Sequence, residues 1–273
     1  MRRGGTKRAR ATDALVWRMS DYAETSAVVA LLTADAGIVR AMAKGAKRLS
    51  NGFKGPLDRG VLYRVRFGRR GEAGLAQLHS AVLLEALPSL RREPARFAVA
   101  ALVMEVAGDL MREGEPFPDL FRLAVFTLKV IDTAPPERLG AAAAVFLARA
   151  VELSGLGPEL NRCVACGAAL AGGGRPLLSA ARGGVLHRTC GHGEPGARGV
   201  TRPLLDLMER IATEPPARAL ATPWPEKGLR GLRRILADWL EHVLERRFRT
   251  AAPMERELGR LSGPDSSRGP SFA

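Results

Sequence analysis

The sequence predicts an α+β, multi-domain chain: a small N-terminal antiparallel barrel, then a helical region interrupted by a polar insert. Three observations predict it. Residues 14–87 alternate apolar and polar, and after Pro88 the apolar positions recur at helical spacing. All 3 cysteines of the 273 residues fall in one stretch of different composition.

The barrel is read strand by strand. Ala14–Met19 is short and apolar, and Ser26–Thr33 (SAVVALLT) is rich in β-branched residues. The turn Asp35-Ala36-Gly37 leads into Ile38–Lys44, where Ile38, Arg40, Met42 and Lys44 alternate with Val39, Ala41 and Ala43. In Leu62–Phe67, Leu62, Arg64 and Arg66 share one face, and Tyr63, Val65 and Phe67 the other. A fifth run, Leu75–Leu84, follows the turn Arg69-Arg70-Gly71-Glu72. Alternation with one polar face is the antiparallel pattern. Five short strands of this size fit an OB-fold, the small barrel that binds oligonucleotides, and periodicity alone fits an SH3-like barrel equally.

Beyond Pro88, Phe97–Met111, Pro118–Ile131, Leu139–Leu153, Arg202–Ala212 and Glu226–Phe248 read as helices of one bundle. In the last, Leu229, Leu232, Leu236, Trp239, Leu240, Val243 and Leu244 form the apolar stripe, with Arg230, Arg233 and Arg234 mostly off it. Gly155, Gly157 and Pro158 stop the third helix. The predicted organisation is a disordered basic arm over 1–12, an OB-fold DNA-binding domain over 13–85 and a helical domain over 86–160 plus 201–250. A zinc-binding ribbon is inserted at 161–200, and 251–273 is a disordered tail.

Composition narrows the function classes. With 46% hydrophobic and 26% charged residues, wholesale disorder is excluded. No apolar run reaches the ~18 residues of a membrane span. The start MRRGGTKRAR has no hydrophobic signal core after it, so a cytoplasmic protein is expected. Three cysteines do not make a disulfide framework. The net charge of +14 is largely arginine, 36 Arg against 6 Lys, a bias that a GC-rich genome also produces. It is unevenly placed: residues 1–80 hold 16 Lys+Arg and 6 Asp+Glu, net +10, and the rest only +4. Charge concentrated in one segment points to a polyanion partner; a solvated basic face is the bland alternative.

The sharpest chemistry lies in Cys163-Val-Ala-Cys166-Gly167 and His187-Arg-Thr-Cys190-Gly191. Each pentapeptide carries two ligand-type side chains two residues apart, followed by Gly, which lets the backbone turn beneath an ion. Cys163, Cys166, His187 and Cys190 make a closed tetrahedral set, so one structural Zn2+ is expected, stabilising an insert too polar to fold on its own core. His192 is the competing ligand, and His187 is preferred because it keeps the two-residue spacer. A redox CxxC lacks its βαβ context here. A zinc deaminase needs H-x-E before P-C-x-x-C; here His192-Gly193-Glu194 follows the cysteines, and Arg162 stands at the Pro position. Neither G-x-x-x-x-G-K-[ST] nor H-E-x-x-H occurs.

The chain resembles the RecO family of bacterial recombination mediators. The resemblance is carried by Ala14-Leu15-Val16, by Asp21-Tyr22-Ala23-Glu24-Thr25-Ser26, by residues 28–37 (VVALLTADAG) and by Ala43-Lys44-Gly45-Ala46-Lys47-Arg48. It covers roughly residues 13–250, and the helical part is similar mainly in pattern. It implies a non-enzymatic DNA repair protein with no small-molecule substrate and no membrane association. Such a protein binds single- and double-stranded DNA, anneals complementary strands and helps load RecA onto strands coated by single-stranded DNA-binding protein. The implied protein partners are RecR and the acidic C-terminal tail of the single-stranded DNA-binding protein. Many members carry four cysteines at the insert; here His187 takes the third position.

The residues expected to contact DNA are Arg40, Lys44, Lys47, Arg48, Lys54, Arg64, Arg66, Arg69 and Arg70, a row of cations able to follow a phosphate backbone. Phe53, in the Gly-flanked loop NGFKG, suits base stacking or plugs the barrel. The alternative function is a protein-interaction scaffold, with Arg230, Arg233 and Arg234 as cations rimming an apolar groove or as a solvated helix face.

Overall fold

The computed structural model describes residues 9–22, 24–46, 57–70, 74–170 and 174–261. They form two compact units, Met1–Thr133 and Ala134–Ala273.

In the first unit, β1 (Arg10–Asp21), β2 (Ala27–Thr33), β3 (Gly37–Ala43), β4 (Leu62–Arg70) and β5 (Ala76–Glu85) close into a barrel in the order β1-β2-β3-β5-β4. All neighbours are antiparallel except β3 and β5, which run parallel. This closed, crossed-over arrangement is of the OB type, which periodicity alone did not separate from an SH3-like barrel. Period two works as predicted: Val39, Ala41, Ala43, Tyr63, Val65 and Phe67 point into the core, packed with Val16, Val29, Leu31 and Leu78. β1 starts earlier than its apolar run. Arg10–Leu15 pair with β4, Arg10 opposite Phe67 and Leu15 opposite Leu62, so the end of the basic arm is strand. A register shift between Val16 and Arg18 lets β1 bend and pair with β2 over its second half.

Three helices belong to this unit: α1 (Ser89–Arg92), α2 (Pro94–Leu110) and α3 (Pro118–Thr133). Nearly every side of α2 is buried. Trp17 of β1 lies against Gly108 of α2 so closely that a Cβ there would meet the indole at 2.1 Å.

The second unit holds α4 (Leu139–Leu153), α5 (Arg202–Thr213), α6 (Pro216–Ala221), α7 (Glu226–Val243) and α8 (Ala251–Leu261). Between α4 and α5 lies a small sheet of β6 (Leu177–Ser179), β7 (Gly184–Leu186) and β8 (Arg198–Gly199), in the order β7-β6-β8. The helices grouped by sequence into one domain therefore divide between the two units, because α2 spends its apolar surface inside the first. The tail reading of 251–273 also changes: Ala251–Leu261 are helical, with Met254 and Leu258 buried four residues apart on one face.

Arg233 is a further correction. It lies off the apolar stripe only by residue type, and its side chain is 1% exposed. Its guanidinium donates from Nε and Nη2 to both carboxylate oxygens of Glu255 at 2.6 and 3.0 Å, from Nη2 to Glu226 at 2.8 Å, and from Nη1 to the Gly140 carbonyl at 3.2 Å. It joins α4, α7 and α8 and is no rim cation. A Cβ on Gly140 would sit 2.8 Å from Nη1, so the missing side chain admits the guanidinium.

The last predicted helix stops at Val243, short of Phe248. Glu245 takes φ 52°, and the Arg246 and Glu245 amides donate to the carbonyls of Glu241 and His242 at 2.9 and 3.1 Å. This is a Schellman stop with Glu where Gly is usual, and the left-handed conformation is costly for a residue bearing Cβ. Glu245→Gly is expected to raise stability by about 1 kcal/mol, read as a rise of a few degrees in Tm. An unchanged or lower Tm would contradict this. Among the described residues, no helix is long and apolar enough to cross a membrane.

Candidate functional site

The two pentapeptides form two turns that face each other. In the first, the Gly167 amide donates to the Cys163 carbonyl at 2.8 Å and the Cys163 amide to Ala168 at 2.9 Å. Val164 then donates to Val185, which ties the turn to β7. In the second, the Gly191 amide donates to the His187 carbonyl at 2.9 Å. The ligand atoms of Cys163, Cys166, His187 and Cys190 all lie within 4.8 Å of one another. His192 is exposed and outside the group.

The two glycines serve different ends. Gly167 has φ 73°, as the turn reading requires. Gly191 does not have positive φ; a Cβ there would press on Leu177 and Leu186 at 3.0 Å, so it is small to let the turn sit on the sheet.

The donor atoms fit a tetrahedral ion. His187 turns Nδ1 toward the thiols, 3.4 Å from Cys166 Sγ and 3.9 Å from Cys190 Sγ. Ligands at ~2.0–2.3 Å around one tetrahedral centre lie about 3.5–3.8 Å apart, close to these separations. The other ring nitrogen, Nε2, lies 3.3 Å from the Ala169 carbonyl. Donating there fixes the tautomer that leaves Nδ1 free for a metal. Cys163 is fully buried, while Cys166 and Cys190 are exposed. Burial pushes the Cys163 thiol up, but amide donors, the His187 N–H at 3.4 Å first, and the Cys166 side chain outweigh it and bring it down to about 6. A thiolate at neutral pH is what a metal takes. Cys190, though exposed, has its thiol pushed up by local desolvation where the two turns face each other and by the neighbouring Cys166 and Cys163 sulfurs.

Glu159 supports the first turn from outside the metal set. Its carboxylate accepts the Asn161 and Arg162 amides at 2.8 and 3.1 Å, which hold its carboxyl below the usual range. Neither Glu159 nor the Ala169 carbonyl was singled out from sequence. A backbone carbonyl carries no residue-type signal, and Glu159 is recognisable only as an acid just before a turn. The apolar support of the ribbon is small: among its described residues, Leu178, Val185, Leu186 and Val200 are the buried hydrophobics besides Cys163.

On the barrel, Arg40, Lys44, Arg64 and Arg66 are exposed. They sit on β3 and β4, on either side of β5, or in the case of Lys44 just past the end of β3. Arg40 lies 4.0 Å from Glu113, and Arg64 pairs with Asp13 directly opposite on β1. Lys44 and Arg66 make no ion pair with another described residue. Arg69 and Arg70 lie at the end of β4, and their side chains are outside the described part. Lys47, Arg48, Lys54 and Phe53 also lie outside the described residues. Other barrel arginines are held locally. Arg10 bonds the Asp35 carbonyl, Arg59 donates to the Met19 carbonyl at 3.3 Å, and Arg18 lies 3.9 Å from the centre of the Trp17 ring. Exposed ion pairs are worth only about 0–1 kcal/mol, so a phosphate can displace Asp13 or Glu113.

Comparison with known proteins bears on both regions. The family model for the N-terminal part of recombination protein O matches residues 9–87, and that for its C-terminal part matches residues 91–252. Proteins named DNA repair protein RecO from Anaeromyxobacter sp. strains Fw109-5 and K are 35% and 33% identical to this chain, and one from Desulforudis audaxviator is 31% identical. Each match spans 91% of this chain and 96% of the relative.

Proposed function

The chain belongs to the RecO family of DNA repair and recombination proteins, and on that premise we propose that its barrel binds DNA through the phosphate backbone. The observation that carries this reading is the exposed outer face of β3, β5 and β4, where Lys44 and Arg66 have no described ionic partner and Arg40 and Arg64 have only exchangeable ones. Lys47, Arg48, Lys54, Arg69 and Arg70 extend the same cationic set in sequence. Such a surface neutralises phosphates without reading base edges, so binding has little sequence preference. Screening the repulsion between two complementary strands then promotes annealing without ATP. Loading of a recombinase onto strands coated by single-stranded DNA-binding protein, and contacts with RecR and with that protein's C-terminal tail, complete the proposed role.

We further propose that the ion held by Cys163, Cys166, His187 and Cys190 is a structural Zn2+. Four protein ligands close its coordination shell, which leaves no position for a substrate. The zinc would keep the ribbon folded on its few buried side chains.

Salt dependence tests the phosphate reading. With about 5 phosphates neutralised, the log–log slope of single-strand affinity against salt is expected near −3.5. Replacing Lys44 and Arg66 together by Ala should make that slope shallower by about 1.4 and weaken binding to all sequences alike. A flat salt dependence of the unaltered protein would reject it. Annealing of complementary oligonucleotides coated with single-stranded DNA-binding protein, without ATP, tests the mediator role. Failure to anneal, with protein contacts intact, would leave only the scaffold.

A further inference from the structure

We propose that Tyr22 is a stacking platform for an unpaired base, held beside Lys44 at one end of the barrel; this rests on the DNA-binding reading above. Most barrel aromatics among the described residues are spoken for. Tyr63 and Phe67 are 6% and 9% exposed inside the core, and Trp17 is wedged against Gly108 with Arg18 over its ring. Tyr22 is 68% exposed, more than any other large hydrophobic residue described. Its hydroxyl has no described hydrogen-bond partner. A single exposed ring is ordinary on a protein surface; what singles Tyr22 out is the open cation at the same end of the barrel.

Backbone and side-chain hydrogen bonds on either side of Tyr22 and Ser26 set where the ring sits. The Tyr22 amide donates to the Ser26 carbonyl at 3.1 Å, and Ser26 Oγ accepts the Gly45 amide at 3.4 Å. Ser26, just before β2, thereby ties Tyr22 to the chain leaving β3. Ala27 pairs with Asp21 on one side and Ala43 on the other, so Tyr22 and Lys44 leave the barrel at the same end, two strand spacings or about 10 Å apart. A cation without an ionic partner next to an open ring offers a strand both of its handles, charge for phosphate and a π-face for base. The ring face is sequence-tolerant, because every base can stack on it. It also discriminates by strandedness: bases within a duplex have no free face to give.

The test uses the full-length protein with Tyr22→Ala and Tyr22→Phe. Affinity is measured for oligo(dT) and for a duplex of equal length, and the fluorescence of a single strand containing 2-aminopurine is followed. Tyr22→Ala is expected to lose about tenfold in single-strand affinity with duplex affinity within about twofold and an unchanged salt slope. It should also lose the 2-aminopurine quenching that Tyr22→Phe retains. Equal losses on single strand and duplex, or no loss on either, would overturn the stacking role while leaving the phosphate reading standing. An unaltered chain that binds neither form overturns the phosphate reading, and this proposal with it. An unchanged melting curve of Tyr22→Ala excludes misfolding as the cause.

Discussion

Cys163→Ser is expected to take bound zinc from about one ion per chain to none detectable, and to open residues 161–200 to proteolysis and hydrogen exchange. The magnitude follows from how little else holds the ribbon. Its core is Leu178, Val185, Leu186, Val200 and Cys163 itself, and its sheet is three strands of two or three residues. Structural zinc supplies on the order of 10 kcal/mol in small zinc-folded peptides, comparable to all that these few side chains provide, so losing it removes about half of what holds the ribbon. Cys163 is the sharpest position to change, because it is the buried member of the proposed ligand set and receives the His187 amide across the two turns. His187→Ala should lose the metal as well, and His192→Ala should keep it. Retention of a full zinc complement by His187→Ala would overturn the ligand assignment. The pH dependence has a definite sign. Cys and His bind zinc as their deprotonated forms, so a zinc at this group is expected to be held at neutral pH and released as pH falls. Metal analysis across a pH series, alongside the variants, checks both expectations.

Arg233→Met is expected to lower stability by about 3 kcal/mol, a fall in Tm on the order of 10 °C. The side chain is 1% exposed, and its removal leaves Glu226, Glu255 and the Gly140 carbonyl without their shared donor. Glu226 is 43% and Glu255 24% exposed, so water relieves part of that loss, which keeps the figure at the low end for a broken buried pair. Combining Arg233→Met with Glu226→Gln and Glu255→Leu should recover much of the loss, because the stranded charges go together. A single variant that melts with the unaltered protein would show that the guanidinium contributes no net stability.

Much of the fold was legible locally. The strands starting near Ser26, Ile38, Leu62 and Leu75 and the helices at Pro118, Leu139 and Arg202 fall within a few residues of their sequence-derived bounds. Each segment buries its own face, so its period records its geometry. The early start of β1 was hidden, because Arg10–Asp13 pair with β4 while carrying little apolar pattern of their own. So was α8, whose buried Met254 and Leu258 stand among Glu and Arg. The basic set was legible as residue types, but not its pairing: Asp13 opposite Arg64, and Glu113 beside Arg40, lie 51 and 73 positions away in the chain.

The sequence by itself determined most of the elements, the uneven placement of charge and the grouping of Cys163, Cys166, His187 and Cys190, because each is read from residue types and their spacing along the chain. Two residues between ligands make a turn whatever surrounds it. Only the tertiary structure decided which cations are open, that Arg233 is interior rather than rim, and that Gly191 is small for packing rather than for its backbone angle. Those properties belong to pairs brought together from distant parts of the chain, as Arg233 is with Gly140 93 positions away. Burial and ion pairing are set by such neighbours, and no local pattern encodes them.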